Sequence, residues 1–496
     1  RLEKNDRRYE QALAYFVHAR LVEQSPLTPA LLSANDTADA AWLRISLTLN
    51  DERHASQQLI PDDLEDIAAP SLKAASSLGA ADVISPEHRP FLETFNTAPQ
   101  TVVPPVGISL ATRPSQAEEE IRNIERRQNG YIASGWENRS KRGDAGISEL
   151  STNSIPVEGK LPVGYSGHVF ARVDYVSIKA GTLPASTPGA PVEFGKIPAY
   201  GSSSSENQSA TGTAVAIGYE NDDYRFDIGS TPLGFPVQDI VGGVKTSGSI
   251  GSAYYSLDIS RRPLDSSMLA YAGAKDPVTG EVWGGIRANG INLWAGWDVG
   301  QLGLYGSIGA HLLTGKNVPQ NSRFATRVGA DWMVTKKEDM RIAVGAAVTY
   351  WTYDQDLSNY TFGQGGYYSP QSYSAISLPI FWTGRNGKLA YYFRGSVSFS
   401  RSKSDDSDYF PTRDDLQIAA GNQKFSGGPG SGVGYAGSAI LEYQVLPDLF
   451  IGGRFEFDRS AYYAPNYYLV YLRHTFEPRT EPIPFKPVPL KAYSQF

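Results

Sequence analysis

The sequence predicts an all-β transmembrane barrel of about 16 antiparallel strands, with a short α-helical segment before it and no helix within it. Three observations predict this fold class. Many segments alternate apolar residues with polar, small or aromatic ones, the period of a strand with two different faces. Short turns and long polar loops alternate strictly along the chain. Tryptophans stand at the ends of the apolar bands, beside the short turns.

The composition fits this fold and narrows the function. The 496-residue chain has no cysteine, so thiolate metal sites and disulfides are excluded. Its 29 tyrosines and 49 glycines favour strands joined by tight turns. The net charge is -7 with lysine and arginine spread along the chain, so no basic stripe indicates a nucleic-acid partner. No apolar stretch reaches the ~18 residues of a membrane-spanning helix.

Residues 1–96 are predicted to form an α-helical segment similar to tetratricopeptide repeats. Tyr9, Ala12 and Phe16 stand at helical spacing near its start. Such an array is expected to lie in the periplasm and to bind partner proteins. Residues 97–129 follow as a proline-rich linker and a charged helix.

Residues 130–476 are predicted to form the barrel. In the last strand, 467–476, Val470 and Leu472 share a face that meets lipid, and Arg473 lies on the opposite face, which lines the lumen. A charge on the lipid face would cost ~2 to 4 kcal/mol at mid-membrane, so charged side chains are expected to point inward.

The tail, 477–496, is rich in proline and cannot form an interior strand, because proline lacks the N–H that the ladder needs. Two locations are expected for it: the periplasm, or the pore mouth after the chain folds back. Barrel proteins of this kind carry a terminal aromatic residue as a sorting signal, and Phe476 and Phe496 both fit that role.

The lumen is the candidate functional site. Aromatic rings stack on the C–H faces of sugars, and polar groups beside them form hydrogen bonds with hydroxyls, which suits a polymer that slides past weak contacts. Packing of the lumen wall is an equal alternative for any one ring. The predicted substrate path consists of ten inward-facing residues: Trp294, Tyr305, His311, Trp351, Tyr392, Arg394, Arg454, Glu456, Asp458 and Tyr467.

Carboxylates on the same face permit a second chemistry. Two carboxyl groups ~5 to 10 Å apart can hydrolyse glycosidic bonds. We favour a hydrated polar wall in which Arg327, Arg394 and Arg454 pair with these carboxylates. The six histidines lack metal-binding spacing and no nucleophile motif is present, so no catalytic residue, metal or cofactor is predicted.

Three long loops, 263–281, 355–370 and 403–431, are expected on the extracellular side if the short turns are periplasmic. A wide open hole would leak small solutes, so we expect these loops to fold over the exit and to part when a polymer arrives. Shielding of the barrel rim without movement is the alternative. Glycines in 363–366 would supply a hinge. The candidate gate residues are Tyr271, Asp276, Tyr367, Tyr368, Asp408 and Tyr409.

Three strings carry a resemblance to a known family: "YAGAKDPVTGEVWGGI" at 271–286, "GQGGYYSPQSYSAISLPIFW" at 363–382 and "SDYFPT" at 407–412. Over about residues 118–476 the chain resembles the C-terminal domain of the cellulose synthase operon protein C family. The resemblance implies a barrel in the outer-membrane lipid of a Gram-negative bacterium that secretes cellulose, a β-1,4-glucan. It also implies that the periplasmic helical array binds periplasmic or inner-membrane cellulose synthase components.

Two other functions stay open at this point. An exporter of another exopolysaccharide, such as poly-N-acetylglucosamine, would share the barrel and the helical repeats. We expect such an exporter to have a more acidic lumen, because a partly deacetylated chain is cationic. A barrel enzyme or a passive porin is the alternative from a different class.

Overall fold

The computed structural model describes residues 129–164, 167–186, 192–201, 206–459, 465–479 and 483–496. The helical segment expected at 1–96 lies outside these residues, and so does the linker expected at 97–129, apart from its last residue. Seventeen strands in the described ranges are hydrogen-bonded into one antiparallel sheet. One of them, β8 (Ala274–Lys275), is a two-residue strand that pairs only with β9 (Val282–Val299), and the other sixteen form a barrel.

The barrel strands follow each other around the barrel in chain order. With β9, the first half consists of β1 (Tyr131–Lys141), β2 (Leu150–Val163), β3 (Gly167–Thr182), β4 (Asn207–Glu220), β5 (Tyr224–Ser230), β6 (Ile240–Ile250) and β7 (Ala253–Pro263). The second half consists of β10 (Leu302–Lys316), β11 (Val318–Lys336), β12 (Met340–Tyr353), β13 (Ser372–Asn386), β14 (Leu389–Ser404), β17 (Gly428–Leu446), β18 (Leu449–Arg459) and β19 (Asn466–Thr475).

Pairing of the first strand with the last closes the barrel. β1 runs antiparallel to β19, from Tyr131 opposite Thr475 to Ser140 opposite Asn466. Closure leaves no unpaired sheet edge, which is the condition for a sheet to cross a lipid bilayer. The predicted fold class, a closed barrel of sixteen antiparallel strands, is confirmed.

The two faces of the strands differ as the alternation predicts. In β19, Val470 and Leu472 are 53% and 51% exposed on the outer face, whereas Tyr471 and Arg473 are buried on the inner face. The outward-facing side chains of all the barrel strands form an apolar belt that fits a lipid bilayer, and Val470 and Leu472 belong to this belt. Exposed tryptophans lie at the short-turn end of this belt: Trp297, Trp332 and Trp382.

Short elements of secondary structure lie outside the barrel wall. They are α1 (Ile197–Tyr200), α2 (Met268–Ala272), α3 (Asp414–Ala419), β15 (Ser407–Asp408), β16 (Lys424–Phe425) and a 3-10 turn at Tyr493–Gln495. The prediction that helices occur only before the barrel was therefore wrong. The loops that contain these helices are long enough to form local hydrogen bonds. At the start of α2, for example, the Ser267 side chain accepts a hydrogen bond from the Ala270 N–H. None of the described helices has the length and apolar character needed to cross a membrane.

Short and long connections do not alternate strictly. β10 and β11 are joined on the long-loop side by Asn317 alone, with φ of 52°. Asparagine adopts this left-handed backbone more readily than most residues, which allows a tight turn where a long loop was expected.

Candidate functional site

All ten residues of the predicted substrate path lie on the inner face of the barrel and are buried, from 1% exposed for Trp351 to 9% for Arg394. Their strands alternate inward and outward positions without interruption at these sites. Contact between these side chains and a substrate stays a prediction.

Three of the predicted aromatic residues come together on one part of the wall. Trp294, Tyr305 and Trp351 belong to one cluster of buried side chains from β7, from β9 to β13 and from the loops next to them. Trp351 stacks on Tyr373, with ring centroids 3.6 Å apart and planes within 10°. Tyr373 was missed from the sequence, because only the pairing of β12 with β13 places it opposite Trp351. One face of the Trp351 indole is therefore already covered.

The other path residues lie elsewhere around the barrel. Tyr392 packs with Phe381 and Ile440, and Tyr467 belongs to a separate cluster on β1 and β19. His311 lies 3.1 Å from the side-chain amide of Asn292, so it is held within the wall. The path residues thus surround the lumen and do not form one continuous stripe.

Ion pairs occupy much of the inner wall between β1 and β7 and near β18. Arg172 lies 2.9 Å from Glu158 and 2.7 Å from Asp174. Arg454 lies 2.6 Å from Glu456, which agrees with the expected wall in which arginines pair with carboxylates. The Arg327 side chain is hydrogen-bonded to Tyr305 instead, and the Asp331 carboxylate is a further electrostatic neighbour. Among the described residues, no three His, Asp or Glu side chains are placed to hold a metal ion.

The C-terminal tail enters the barrel from the short-turn end. Near the turn between β17 and β18, the Arg479 N–H donates to the Pro447 carbonyl at 2.6 Å. Further along, Ile483 packs on Ala390 and Phe450 of the inner wall. Arg473 then donates to the Val488 carbonyl at 3.1 Å. Of the two locations expected for the tail, folding back is correct, and the tail continues well beyond the pore mouth.

The last residues of the tail bind the wall formed by β3 to β7. The Tyr493 N–H donates to Asp174 at 2.8 Å, and its hydroxyl donates to Asp227 at 2.9 Å. Ser494 donates to Asp265 in the loop after β7, at 3.1 Å. Phe496 lies against the guanidinium of Arg225, 3.9 Å from the ring centroid. The tail therefore fills part of the lumen on this side.

Four loops lie across the other end of the barrel, and we call their described residues the lid: 183–186, 192–201 and 206 of the first loop, then 264–281, 354–371 and 405–427. They are joined to each other by hydrogen bonds between loops. The Phe362 N–H donates to the Gly195 carbonyl at 2.9 Å, and the Ser267 hydroxyl donates to the Gly366 carbonyl at 2.7 Å. One hydrophobic cluster takes residues from all four loops: Leu183, Val192, Phe194, Ile197, Leu269, Ala274, Tyr360, Phe362, Tyr409, Phe410, Leu416 and Ala420.

The candidate gate residues occupy three different positions in the lid. Tyr367 and Tyr368 are buried against the aromatic wall that contains Trp351. Tyr271 packs instead against Phe235 on the β2 to β4 side, with ring centroids 5.3 Å apart.

The remaining gate residues bind within the lid. Asp276 accepts from the Lys196 N–H at 2.8 Å, which ties two loops together. Tyr409 donates to Glu193 at 2.6 Å, whereas Asp408 pairs with Lys424 at 3.0 Å at the half-exposed outer surface. Burial raises the pKa of Tyr360, Tyr367 and Tyr368, so these hydroxyls stay protonated.

Comparison with known proteins identifies the family. The model of the cellulose synthase operon protein C C-terminus matches residues 148–477. The chain belongs to this family. Its relatives include cellulose synthase operon protein C of Escherichia coli K12, 34% identical over 71% of this chain, and of Pseudomonas fluorescens SBW25, 32% identical over 80%. The chain spans 31% of the length of each of these two relatives.

Two solved outer-membrane barrels align with this chain at low sequence identity and low TM-score. A bacterial polysaccharide outer membrane secretin aligns with 71% of this chain and 99% of its own length, with 8% identity and a TM-score of 0.45. OmpF of Salmonella typhi aligns over 71% of this chain and 99% of its own length, with 10% identity and a TM-score of 0.32.

Proposed function

We propose that this member of the cellulose synthase operon protein C family is an outer-membrane channel that exports cellulose from the periplasm to the cell surface. The observation that carries the proposal is a closed membrane barrel of this family whose inner wall bears aromatic rings beside hydroxyl and charged groups. Such a wall gives weak stacking and exchangeable hydrogen bonds, which let a glucan slide without being trapped.

The lid favours an exporter over a passive porin. Hydrogen bonds between loops and a shared hydrophobic cluster join the described parts of the four lid loops across the end of the barrel, an arrangement that a passive porin does not need. We propose that the lid opens when a glucan chain reaches Tyr367 and Tyr368, the lid residues that pack against the aromatic wall. Opening requires that contacts between the loops break, together with contacts between lid and wall such as the hydrogen bond from Asn321 to the Tyr367 hydroxyl. The barrel wall can stay intact, because it is held by its own strand ladder.

Partners are proposed from the family name and from the sequence. The helical segment at 1–96 would bind periplasmic or inner-membrane cellulose synthase components, so that the polymer passes directly into the barrel. In this scheme the protein binds a glucan and outer-membrane lipid and catalyses no reaction. Another exopolysaccharide remains the second candidate substrate.

Secretion by whole cells tests the proposal. A strain that lacks the protein should synthesise glucan but retain it, and expression of the protein should restore extracellular polymer. Digestion of that polymer by a β-1,4-glucanase, and not by a hexosaminidase, identifies it as cellulose. Normal secretion by the deletion strain would disprove the proposed function, and polymer digested only by the hexosaminidase would assign the second substrate.

A further inference from the structure

Arg401 lies on the outer face of the barrel, close to the lid end of β14. It is two residues beyond Phe399, so the two side chains leave the strand on the same side. Arg401 is exposed, and no hydrogen bond or ion pair joins its side chain to another residue in the described part of the chain. By contrast, the outward-facing Arg261 of β7 lies 2.7 Å from Asp239. The guanidinium of Arg401 is therefore available to a ligand.

Two hydroxyl groups flank Arg401 on the same face. Strand pairing places Ser374 of β13 and Ser431 of β17 directly opposite Arg401, one on each side, and both serines are exposed. Neighbouring strands are about 4.8 Å apart, so these three side chains form a short row, which we call the outer row. Lys403 adds a second positive charge about 6.8 Å further along β14. Its ion pair with Asp405 is 3.5 Å long and largely exposed, so it holds Lys403 only weakly.

The outer row lies at the edge of the apolar belt. Two residues along each strand towards the short-turn end are Ile376, Phe399 and Val433, which again lie opposite each other. These side chains are 55%, 54% and 57% exposed on the outer face. The lid loops 354–371 and 405–427 flank β13 and β14 at the other end. The outer row is therefore at the depth of the lipid headgroups in the leaflet next to the lid, with acyl chains below it.

The groups of the outer row match a phosphate. A guanidinium donates two parallel N–H bonds to phosphate oxygens, and these charge-assisted bonds are stronger than neutral ones. Serine hydroxyls on either side can donate to the remaining oxygens. The apolar residues below the row match acyl chains, so the fitting ligand is a lipid with an exposed phosphate monoester. In the outer leaflet of a Gram-negative outer membrane that lipid is lipid A, the anchor of lipopolysaccharide.

We propose that the outer row binds a phosphate group of lipid A, with acyl chains of the same molecule against Ile376, Phe399 and Val433. The Arg401 guanidinium donates to the phosphate, the two serines complete its hydrogen bonds, and Lys403 adds long-range attraction. The site is on the outside of the barrel, so it goes beyond the proposed export function and does not depend on which polymer is exported. It requires that the lid faces the cell exterior, where lipid A is found.

Arg401→Gln tests the site in the full chain, purified in detergent and washed free of lipopolysaccharide. Native mass spectrometry with added lipid A should show affinity falling about 10-fold or more, because charge-assisted hydrogen bonds are lost. The melting temperature without lipid A should stay within about 1 °C, because an exposed side chain without partners is replaced. Unchanged affinity for lipid A in the folded variant would overturn the site.

Lys179→Gln is the matched control. Lys179 is an exposed cation on the outer face of β3, near the lid end, and it too lies between two serines, Ser151 and Ser209. The next outward position towards the belt is Ser177 and not an apolar residue, so no acyl chain is held directly below. The control should lower affinity by less than about 2-fold, since it removes only a screened charge. Equal losses in the two variants would mean unspecific attraction to positive charge and would overturn the site.

Comparison of lipids tests the assignment of the partner. The unaltered protein should bind lipid A more tightly than phosphatidylglycerol, whose phosphate is a diester and offers fewer charged oxygens. It should also bind lipid A more tightly than dephosphorylated lipid A, and Arg401→Gln should remove most of this difference. Tighter binding of phosphatidylglycerol, or equal binding of lipid A with and without its phosphates, would overturn the assignment.

Discussion

One hydroxyl group tests how the tail is held in the lumen. Tyr493→Phe removes the hydrogen bond from Tyr493 Oη to Asp227, which is 2.9 Å long. Asp227 still accepts two hydrogen bonds from Arg262, at 2.6 and 2.7 Å, so no buried carboxylate is left without a partner. The substitution therefore weakens the tail's attachment without damaging the wall.

The expected magnitude follows from the kind of bond that is lost. A hydrogen bond to a charged group contributes about 1.5 to 3 kcal/mol. The Tyr493 N–H bond to Asp174 and the contact of Phe496 with Arg225 are unaffected by the substitution. We therefore expect the population of barrels with an undocked tail to rise roughly 10- to 100-fold.

A single engineered thiol measures this population. The chain has no cysteine, so Ser494→Cys places one thiol beside Asp265 in the lumen. If docking is faster than labelling, the rate with a water-soluble maleimide is proportional to the undocked population. Tyr468→Phe, on the lipid face, is the matched control and should leave the rate unchanged. Equal rates with and without Tyr493→Phe would refute the attachment described here.

Three further predictions concern the lid, the faces and the ion pairs. Deleting 361–370 should admit small antibiotics while the barrel still inserts, and unchanged permeability in an inserted variant would reject a gate. Glu442→Gln leaves the buried Arg473 without its ion pair and should lower the free energy of unfolding, measured in denaturant, by about 3 to 5 kcal/mol. The control Glu338→Gln, in an exposed turn, should leave the free energy of unfolding unchanged. Single cysteines should be placed at four inner-face positions: Trp294, Tyr305, Trp351 and Tyr392. They should react with water-soluble thiol reagents and not with lipid-soluble ones, whereas Val470→Cys on the outer face should react with the lipid-soluble reagents. If the inner-face cysteines react only with lipid-soluble reagents, the strand register is shifted by one residue.

The fold could be predicted from the sequence because its main signals are local. A strand shows its two faces through a period of two residues, so the inward position of Arg473 and the outward position of Val470 follow from their spacing alone. The number of strands follows from counting these segments between turns. The one-residue turn at Asn317 was missed, because its tightness depends on the backbone conformation of a single residue.

The contacts of the candidate site could not be predicted, because they join residues that are distant in the sequence. Strand register places Tyr373 opposite Trp351 and sets Arg327 between two hydroxyls. The attachment of Tyr493 to Asp227 connects positions 266 residues apart. Composition and periodicity therefore determined that this protein is a membrane barrel with a polar and aromatic lumen. Only the tertiary structure decided which lumen groups pair with each other and where the tail lies, since these depend on cross-strand register and chain folding that no local pattern encodes.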